Sequence, residues 1–352
     1  MTTTLVIRLS SLGDVAIVVP VLYSVATNYP DDHFLFLTQS AWQSLFINKP
    51  SNLTVVPVYT KGKHKGICGI IRLLHELSPL ILTKKVKIAD LHGVIRSFLI
   101  DCFFRLKGFP VVVINKGRKE KQQLVRKANK KMFQLKTSLD RYMEVFEKLG
   151  YDSSFCFTGL FSEKPLKEQI RIGIAPFAKH KGKTYPLEQM EEVIRKLSES
   201  FDIQILLFGS KEEGKYLEQW TKKYQNTTLV AGKMSLQEEL VMMNQMDLMV
   251  SMDSANMHLA SLVNTPVVSI WGATHPYSGF YGFNQDESNS VQIELPCRPC
   301  SIFGNKPCFR NDYACLKQIS PEMIINKIKE AVSKALCHCG RSEAKTRHPQ
   351  TF

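Results

Sequence analysis

Strand-like and helix-like segments alternate along nearly the whole chain, and this alternation constrains the fold more than any other feature. Thr4–Leu9 reads as a β-rich run, Ser10–Asp14 as a turn, and Val15 onward as an apolar helix with Pro20 early in it. His33–Thr38, Leu53–Tyr59, Val86–Leu91 and Val111–Ile114 read as further strands, and Gly69–Leu77, Ile95–Leu106 and Leu139–Leu149 as helices. After a polar stretch at Ser162–Glu168 the pattern restarts. Strands are expected at Ile170–Ala175, Ile203–Gly209, Thr228–Val230, Leu248–Ser251 and Val267–Ile270. Helices are expected at Leu187–Ser198, Glu212–Tyr224, Leu236–Met243, Ala255–Leu262 and Pro321–Leu336. Such alternation gives parallel sheets wrapped by helices. The expectation is an α/β protein of two doubly wound domains, 1–163 and 164–336, with an aperiodic, disordered tail at 337–352.

Composition narrows the function classes. A length of 352 residues suits about two domains. The 44% hydrophobic and 22% charged content excludes a disordered or collagen-like chain. No apolar run reaches the ~18–20 residues of a membrane-spanning helix, and the N-terminus lacks a secretory pattern, so the expected compartment is the cytoplasm. Net charge is +14 and unevenly placed. Residues 1–163 hold 23 Lys and Arg against 12 acids, whereas residues 164–352 hold 23 against 20. The stretch 115–137 has nine basic residues and one acid, Glu120. A basic half implies an anionic partner: a nucleic acid, a phosphorylated glycolipid or an anionic membrane face. Cys68, Cys102 and Cys156, isolated in apolar surroundings, are expected to be buried core thiols.

Four segments can carry chemistry. Ser10-Ser11-Leu12-Gly13-Asp14 joins a strand to a helix, where backbone N–H groups converge on a ligand. It is neither a dinucleotide fingerprint nor a Walker loop, and Asp14 reads either as a helix cap or as a general base. Ala175–Pro186 carries Lys179, Lys181 and Lys183 after a strand, either a phosphate-binding loop or a solvated one. In Met252–His258, Asp253 or Ser254 is a natural N-cap, and the amides of Ser254 and Ala255 would face a diphosphate. His258 points either to that ligand or into the core. Cys297, Cys300, Cys308 and Cys315 form C-x2-C-x7-C-x6-C, suited either to a structural zinc with no open coordination position or to free thiols.

Taken in order, these segments resemble the bacterial ADP-heptose:lipopolysaccharide heptosyltransferases, glycosyltransferase family 9, over residues 4–335. The likeness rests on Ile7–Val15 with Pro20, Asp90-Leu91-His92-Gly93 with Arg96-Ser97, Lys183-Thr184-Tyr185-Pro186, Asp253-Ser254-Ala255 with His258, and Gly272-Ala273-Thr274. The resemblance implies a GT-B arrangement of two Rossmann-like domains facing across a cleft, the first taking the acceptor and the second the nucleotide-sugar. It implies inverting, metal-independent transfer of heptose from an ADP-sugar donor to an anionic lipopolysaccharide core acceptor, at the inner face of the cytoplasmic membrane. It gives Asp14 the role of catalytic base. Lys183, Glu213, Asp253, Ser254, Ala255 and His258 become the donor-binding set. Ser10, Ser11, Gly13, Arg96, Lys116, Arg118 and Lys119 become the acceptor-binding set. No cofactor is implied for catalysis. Two departures stand out: Ala255 where the family usually has Gly, strained if the position needs a positive φ, and Tyr185 for a common Trp. Two other readings compete, a related transferase with a UDP- or GDP-sugar and a non-catalytic polyanion binder. The latter lacks the interleaved aromatics of a nucleic-acid platform, so no nucleic-acid partner is expected.

Overall fold

The computed structural model describes residues 2–81, 85–152, 154–165 and 169–338. The first domain opens with β1 (Thr2–Ile7), α1 (Leu12–Asn28), β2 (His33–Gln39) and β3 (Leu53–Val58). It continues through α2 (Gly66–Ile81), β4 (Lys85–Asp90), α3 (Ile95–Leu106) and β5 (Val111–Val113). α4 (Arg118–Leu124) and α5 (Ser138–Lys148) follow. All pairings are parallel in the order β3-β2-β1-β4-β5, with Leu5 registered against Leu35 on one side and Ile88 on the other. Helices cover both faces, so the strands read as continuous apolar runs rather than alternating ones. On one face Leu5, Ile7, Leu37, Ile88, Leu73 and Phe104 share a core with α2 and α3. On α1 every residue from Val15 to Ala26 is buried, the pattern of a helix enclosed on all sides. Pro20 falls mid-helix rather than early, and α1 runs through it.

The second domain starts with β6 (Ile170–Ala175), α6 (Leu187–Ser200), β7 (Ile203–Leu207), α7 (Lys211–Lys223) and β8 (Thr227–Leu229). Next come α8 (Leu236–Asn244), β9 (Leu248–Met252), α9 (Ala255–Leu262), β10 (Val267–Ile270) and β11 (Ser290–Val291). It closes with α10 (Ala314–Lys317) and α11 (Pro321–His338). Its parallel sheet has the order β11-β10-β9-β6-β7-β8. In both domains the first strand lies inside the sheet. The chain builds outward on one side, then returns to build on the other. The reversal falls between β1 and β4 in the first sheet and between β6 and β9 in the second, where an open α/β sheet offers a crevice at its carboxyl ends.

The structure amends several expectations. The compact units are residues 1–117 with 136–160, and 118–135 with 161–352, so the chain passes between them three times rather than once near 163. The segment 118–135 joins the second unit for identifiable reasons. Lys130 Nζ donates to the carbonyls of Cys297 (2.8 Å) and Pro299 (3.0 Å), and Leu135 N–H to Tyr277 O (2.9 Å). Lys121 and Lys127 sit over the rings of Phe280 and Phe309. Cys68 and Cys156 are exposed and Cys102 is half-buried, not core thiols. Cys68 and Cys102 lie on helix faces turned away from the sheet, and Cys156 lies in an extended stretch. A short strand, β11, follows the last expected one. The final helix runs to His338, and the rest of the expected tail, 339–352, lies outside the described residues.

Candidate active site

At the first reversal, β1 delivers Arg8 and the following loop delivers Ser10, Ser11 and Asp14. Arg8 is buried. Its Nη1 donates to Leu91 O (2.8 Å), and Nη2 pairs with Asp14 Oδ2 (2.7 Å). Asp14 occupies the third position of α1, where Ser11 N–H (3.1 Å) and Ser11 Oγ (2.8 Å) donate to the same Oδ2. The cap role is therefore real, but it engages one oxygen only. Among the described residues Oδ1 accepts no hydrogen bond, and the side chain keeps 27% of its surface exposed. Burial acts to raise the Asp14 pKa. The Arg8 charge and the Ser11 bonds outweigh it and hold the carboxyl below its ordinary range.

β4 delivers the facing wall. Asp90 accepts from the N–H groups of His92 (2.7 Å) and Gly93 (2.9 Å), folding the chain into a tight turn. Gly93 sits at φ +54, and Lys116 Nζ reaches its carbonyl (3.2 Å). His92 Nδ1 accepts from Leu9 N–H (3.4 Å), which leaves the proton on Nε2, 3.4 Å from Ser10 Oγ. Burial and the Arg8 charge push His92 down to about 4, so it is neutral near pH 7. Behind the turn, buried Asp101 from α3 lies against Asp90. Burial and that neighbouring carboxylate push Asp101 up to about 8, so it is protonated near pH 7.

At the second reversal, β6 leads to Lys183 and β9 to Asp253. Their side chains pair at 2.8 Å with Asp253 only 4% exposed. A carboxylate here would repel a diphosphate, so the pairing makes Asp253 the group that positions Lys183. The space is tight. A Cβ on Gly304, which sits at φ +70, would come within 2.6 Å of Lys183 Cγ, and one on Gly182 within 2.8 Å of Gly304 O. Ser254 caps α9 in an extended conformation, its Oγ 3.3 Å from Ser251 Oγ. Ala255 opens the helix and is not among the residues with positive φ, so the departure from Gly carries no strain. The first N–H groups of α9 have no partner within the helix, and the Ser254 side chain does not cap them. His258 is buried one turn further on. Glu213 Oε2 accepts from Ser210 N–H (2.7 Å) at the start of α7, a capping arrangement like that of Asp14. Tyr185 is fully buried, with its hydroxyl on Ile319 O (2.8 Å), and belongs to the core.

The structure gathers Ser10, Ser11, Asp14 and Lys116 near one crevice and Lys183, Asp253, Ser254 and Ala255 near the other. Gly13 lies within the first turn of α1. Arg96 donates to His64 O (3.2 Å), and Arg118 and Lys119 are exposed on α4 in the second unit. Cys297, Cys300, Cys308 and Cys315 line one cavity with Arg298, yet among the described residues no three His, Cys, Asp or Glu are placed to hold one ion. Arg8, Asp101 and Arg298 were missed. Arg298 is buried and donates to the carbonyls of Gly272 (2.5 Å) and Thr274 (3.0 Å), fixing the Gly272–Thr274 loop. No spacing rule marks such residues, because their partners are backbone atoms or distant in sequence.

Two doubly wound domains with polar groups collected at both strand reversals have the layout in which open α/β sheets bind their ligands. Residues 105–305 match the model of glycosyltransferase family 9 (heptosyltransferase), and the chain belongs to that family; it is a glycosyltransferase. The lipopolysaccharide heptosyltransferase 1 of Campylobacter coli is 22% identical over 92% of this chain and 97% of its own. The lipooligosaccharide heptosyltransferase 2 of Campylobacter jejuni is 22% identical over 91% and 96%. Among solved structures, a family 9 glycosyltransferase from Veillonella parvula superposes with a TM-score of 0.73 at 18% identity, covering 94% of this chain and 97% of that one. The E. coli ADP-heptose heptosyltransferase II gives 0.68 at 16%, covering 94% and 99%. The expected fold class, two doubly wound α/β domains like those of these glycosyltransferase structures, is thereby shown.

The Asp90–Asp101 pair makes a pH prediction. Asp101 titrates near 8 when folded and near ~3.9 when unfolded, so the folded state binds the extra proton between those values. Its contribution to stability is whole below about pH 4 and is lost as pH rises toward 8. Asp101→Asn keeps a donor at every pH. Its unfolding free energy relative to wild type should therefore climb from pH 4 to 8 and level off above. Urea titrations across that range give the difference; a flat one would mean that Asp101 is ionised in the fold.

Proposed function

We propose that the enzyme transfers heptose from ADP-heptose to a lipopolysaccharide inner-core acceptor by an inverting, metal-independent displacement, with Asp14 as general base. Family membership supports the transfer. The observation that carries the mechanism is the division of labour within one carboxylate: Oδ2 of Asp14 is anchored three times, while Oδ1 is left for a substrate proton. Oδ1 takes the proton of the acceptor hydroxyl, that oxygen attacks the anomeric carbon, and the bond to the β-phosphate breaks with inversion. Lys183 and the N-terminus of α9 then meet the charge that builds on ADP. Glu213 contacts the ribose and His258 lies near the diphosphate. The relatives are named for lipopolysaccharide and lipooligosaccharide, and one E. coli heptosyltransferase was solved with ADP-2-deoxy-2-fluoro heptose. Ser10, Ser11, Gly13, Lys116, Arg96, Arg118 and Lys119 serve the acceptor, and the first domain is the acceptor domain. No described helix is long and apolar enough to cross a membrane. The proposed site of action is the cytoplasmic face of the inner membrane, peripherally. A related donor, a UDP- or GDP-sugar, is the second reading.

Asp14→Asn should lower turnover of ADP-heptose on a Kdo-bearing acceptor by ~10²–10⁴-fold while ADP still raises the melting temperature. Near-normal turnover removes Asp14 from the base role, and a larger thermal shift with UDP or GDP than with ADP removes the heptose donor. The depressed pKa sets a sign: the ionised base persists as pH falls, so the acid limb of kcat/KM lies below the ordinary ~4. Arg8→Met should raise that limb.

We also propose the four-cysteine segment as a structural zinc site. Its spacing and shared cavity support this, and the arrangement of the thiols does not. Metal analysis of protein purified without chelator should find about one zinc per chain. Absence of zinc, with all four thiols reacting once the protein is denatured without reductant, assigns them as free cysteines.

A further inference from the structure

Helix α3 is apolar on both sides. Its inner side, with Ile100 and Phe104, fills the core beneath the sheet. Its outer side presents Ile95 (83% exposed), Phe98 and Leu106 (89%), which recur at helical spacing on one face with half-buried Leu99 and Cys102 between them. A helix apolar all round is normally enclosed, and here none of the described residues covers the outer side. α2 packs beside α3, and Arg96 ties the start of α3 to His64 just before α2. α2 adds Ile67 (70% exposed) and Ile71. The two helices pack against each other and both present large apolar side chains to solvent, which points to a docking surface rather than to scattered exposure.

Charge identifies the occupant. Residues 61–107 hold ten Lys and Arg against three acids. Two of the acids, Asp90 and Asp101, are buried in the turn behind the site, and the third, Glu76, is paired with Lys63 (2.9 Å). Lys65, Arg72, Arg105 and Lys107 are exposed around the apolar run. An apolar strip rimmed by cations fits the boundary of an anionic bilayer, where the strip enters the acyl region and the cations meet headgroups. A second copy fits poorly, because a two-fold contact would set these cations against each other. We propose that the outer faces of α2 and α3 form the membrane-docking surface and bind anionic phospholipid. The proposal rests on the reading that the acceptor is lipid-borne. It assigns the contact to these helices rather than to the basic stretch 115–137, whose Lys121, Lys127 and Lys130 are engaged in packing.

The test is co-sedimentation of the full chain with phosphatidylcholine vesicles, with and without phosphatidylglycerol. Wild type should bind only the anionic vesicles and should release at high salt. Ile95→Ser/Phe98→Ser/Leu106→Ser should reduce the bound fraction at least about tenfold while its thermal midpoint stays put. Arg72→Glu/Arg105→Glu, which spares every apolar side chain, should do the same if the triple variant folds poorly. Turnover of a water-soluble acceptor fragment should be unchanged in both. Loss of vesicle binding without any heptosyl transfer would overturn the donor or acceptor assignment and leave the surface standing. Vesicle binding by the variants at the wild-type level, no binding by wild type, or a wild-type dimer that the triple variant converts to monomer would overturn the surface.

Discussion

A parallel sheet that starts from an interior strand must reverse its direction of growth once. At that reversal the two flanking connections leave on opposite sides and cannot fill the space above the strand ends. Both domains of this protein are built on that constraint, and nearly every polar side chain of interest stands beside a reversal. The first lies between β1 and β4 and collects Asp14, His92 and Lys116; the second lies between β6 and β9 and collects Lys183 and the start of α9. The core needs only hydrophobic strands and helices, which leaves the strand ends free to carry charge.

At each reversal a buried or half-buried ion pair decides which atoms remain available. Arg8 holds one oxygen of Asp14, and Asp253 holds Lys183. Pairs of this kind add little net stability, since desolvation offsets the attraction. What they fix is orientation and, at Asp14, a carboxyl held below its ordinary range. The Lys183 ammonium is held in place against Asp253. Beneath the first site Asp101 lies against Asp90, whose carboxylate shapes the turn that carries His92.

Much of this was legible in the residues. Ile95–Leu106, Ala255–Leu262 and Val267–Ile270 have the bounds read from their periodicity, because apolar faces, caps and turn residues agree there. The site segments were legible because small residues and charges interrupt the apolar pattern at strand ends. Three things were hidden. Arg8 directly follows β1, and nothing in the apolar strand pattern announces its burial against Asp14 and Leu91. The two extra passages between units, on either side of 118–135, go with Lys130 finding carbonyls more than 160 positions away. The cysteines at 68 and 102 occupy apolar surroundings in sequence, yet those surroundings form a surface, so local hydrophobicity misled where tertiary exposure decided.

The excursion of residues 118–135 bears on how such a protein can be recombined. A single crossover at 163 would give a hybrid in which one parent supplies Lys130 and Leu135 and the other supplies their acceptors in the loops near 277 and 297–299. Any hybrid of two such chains must therefore carry this stretch along with the latter half, or preserve its anchoring chemistry. Inheritance of the two lobes is coupled through eighteen residues that belong, in sequence, to the wrong one.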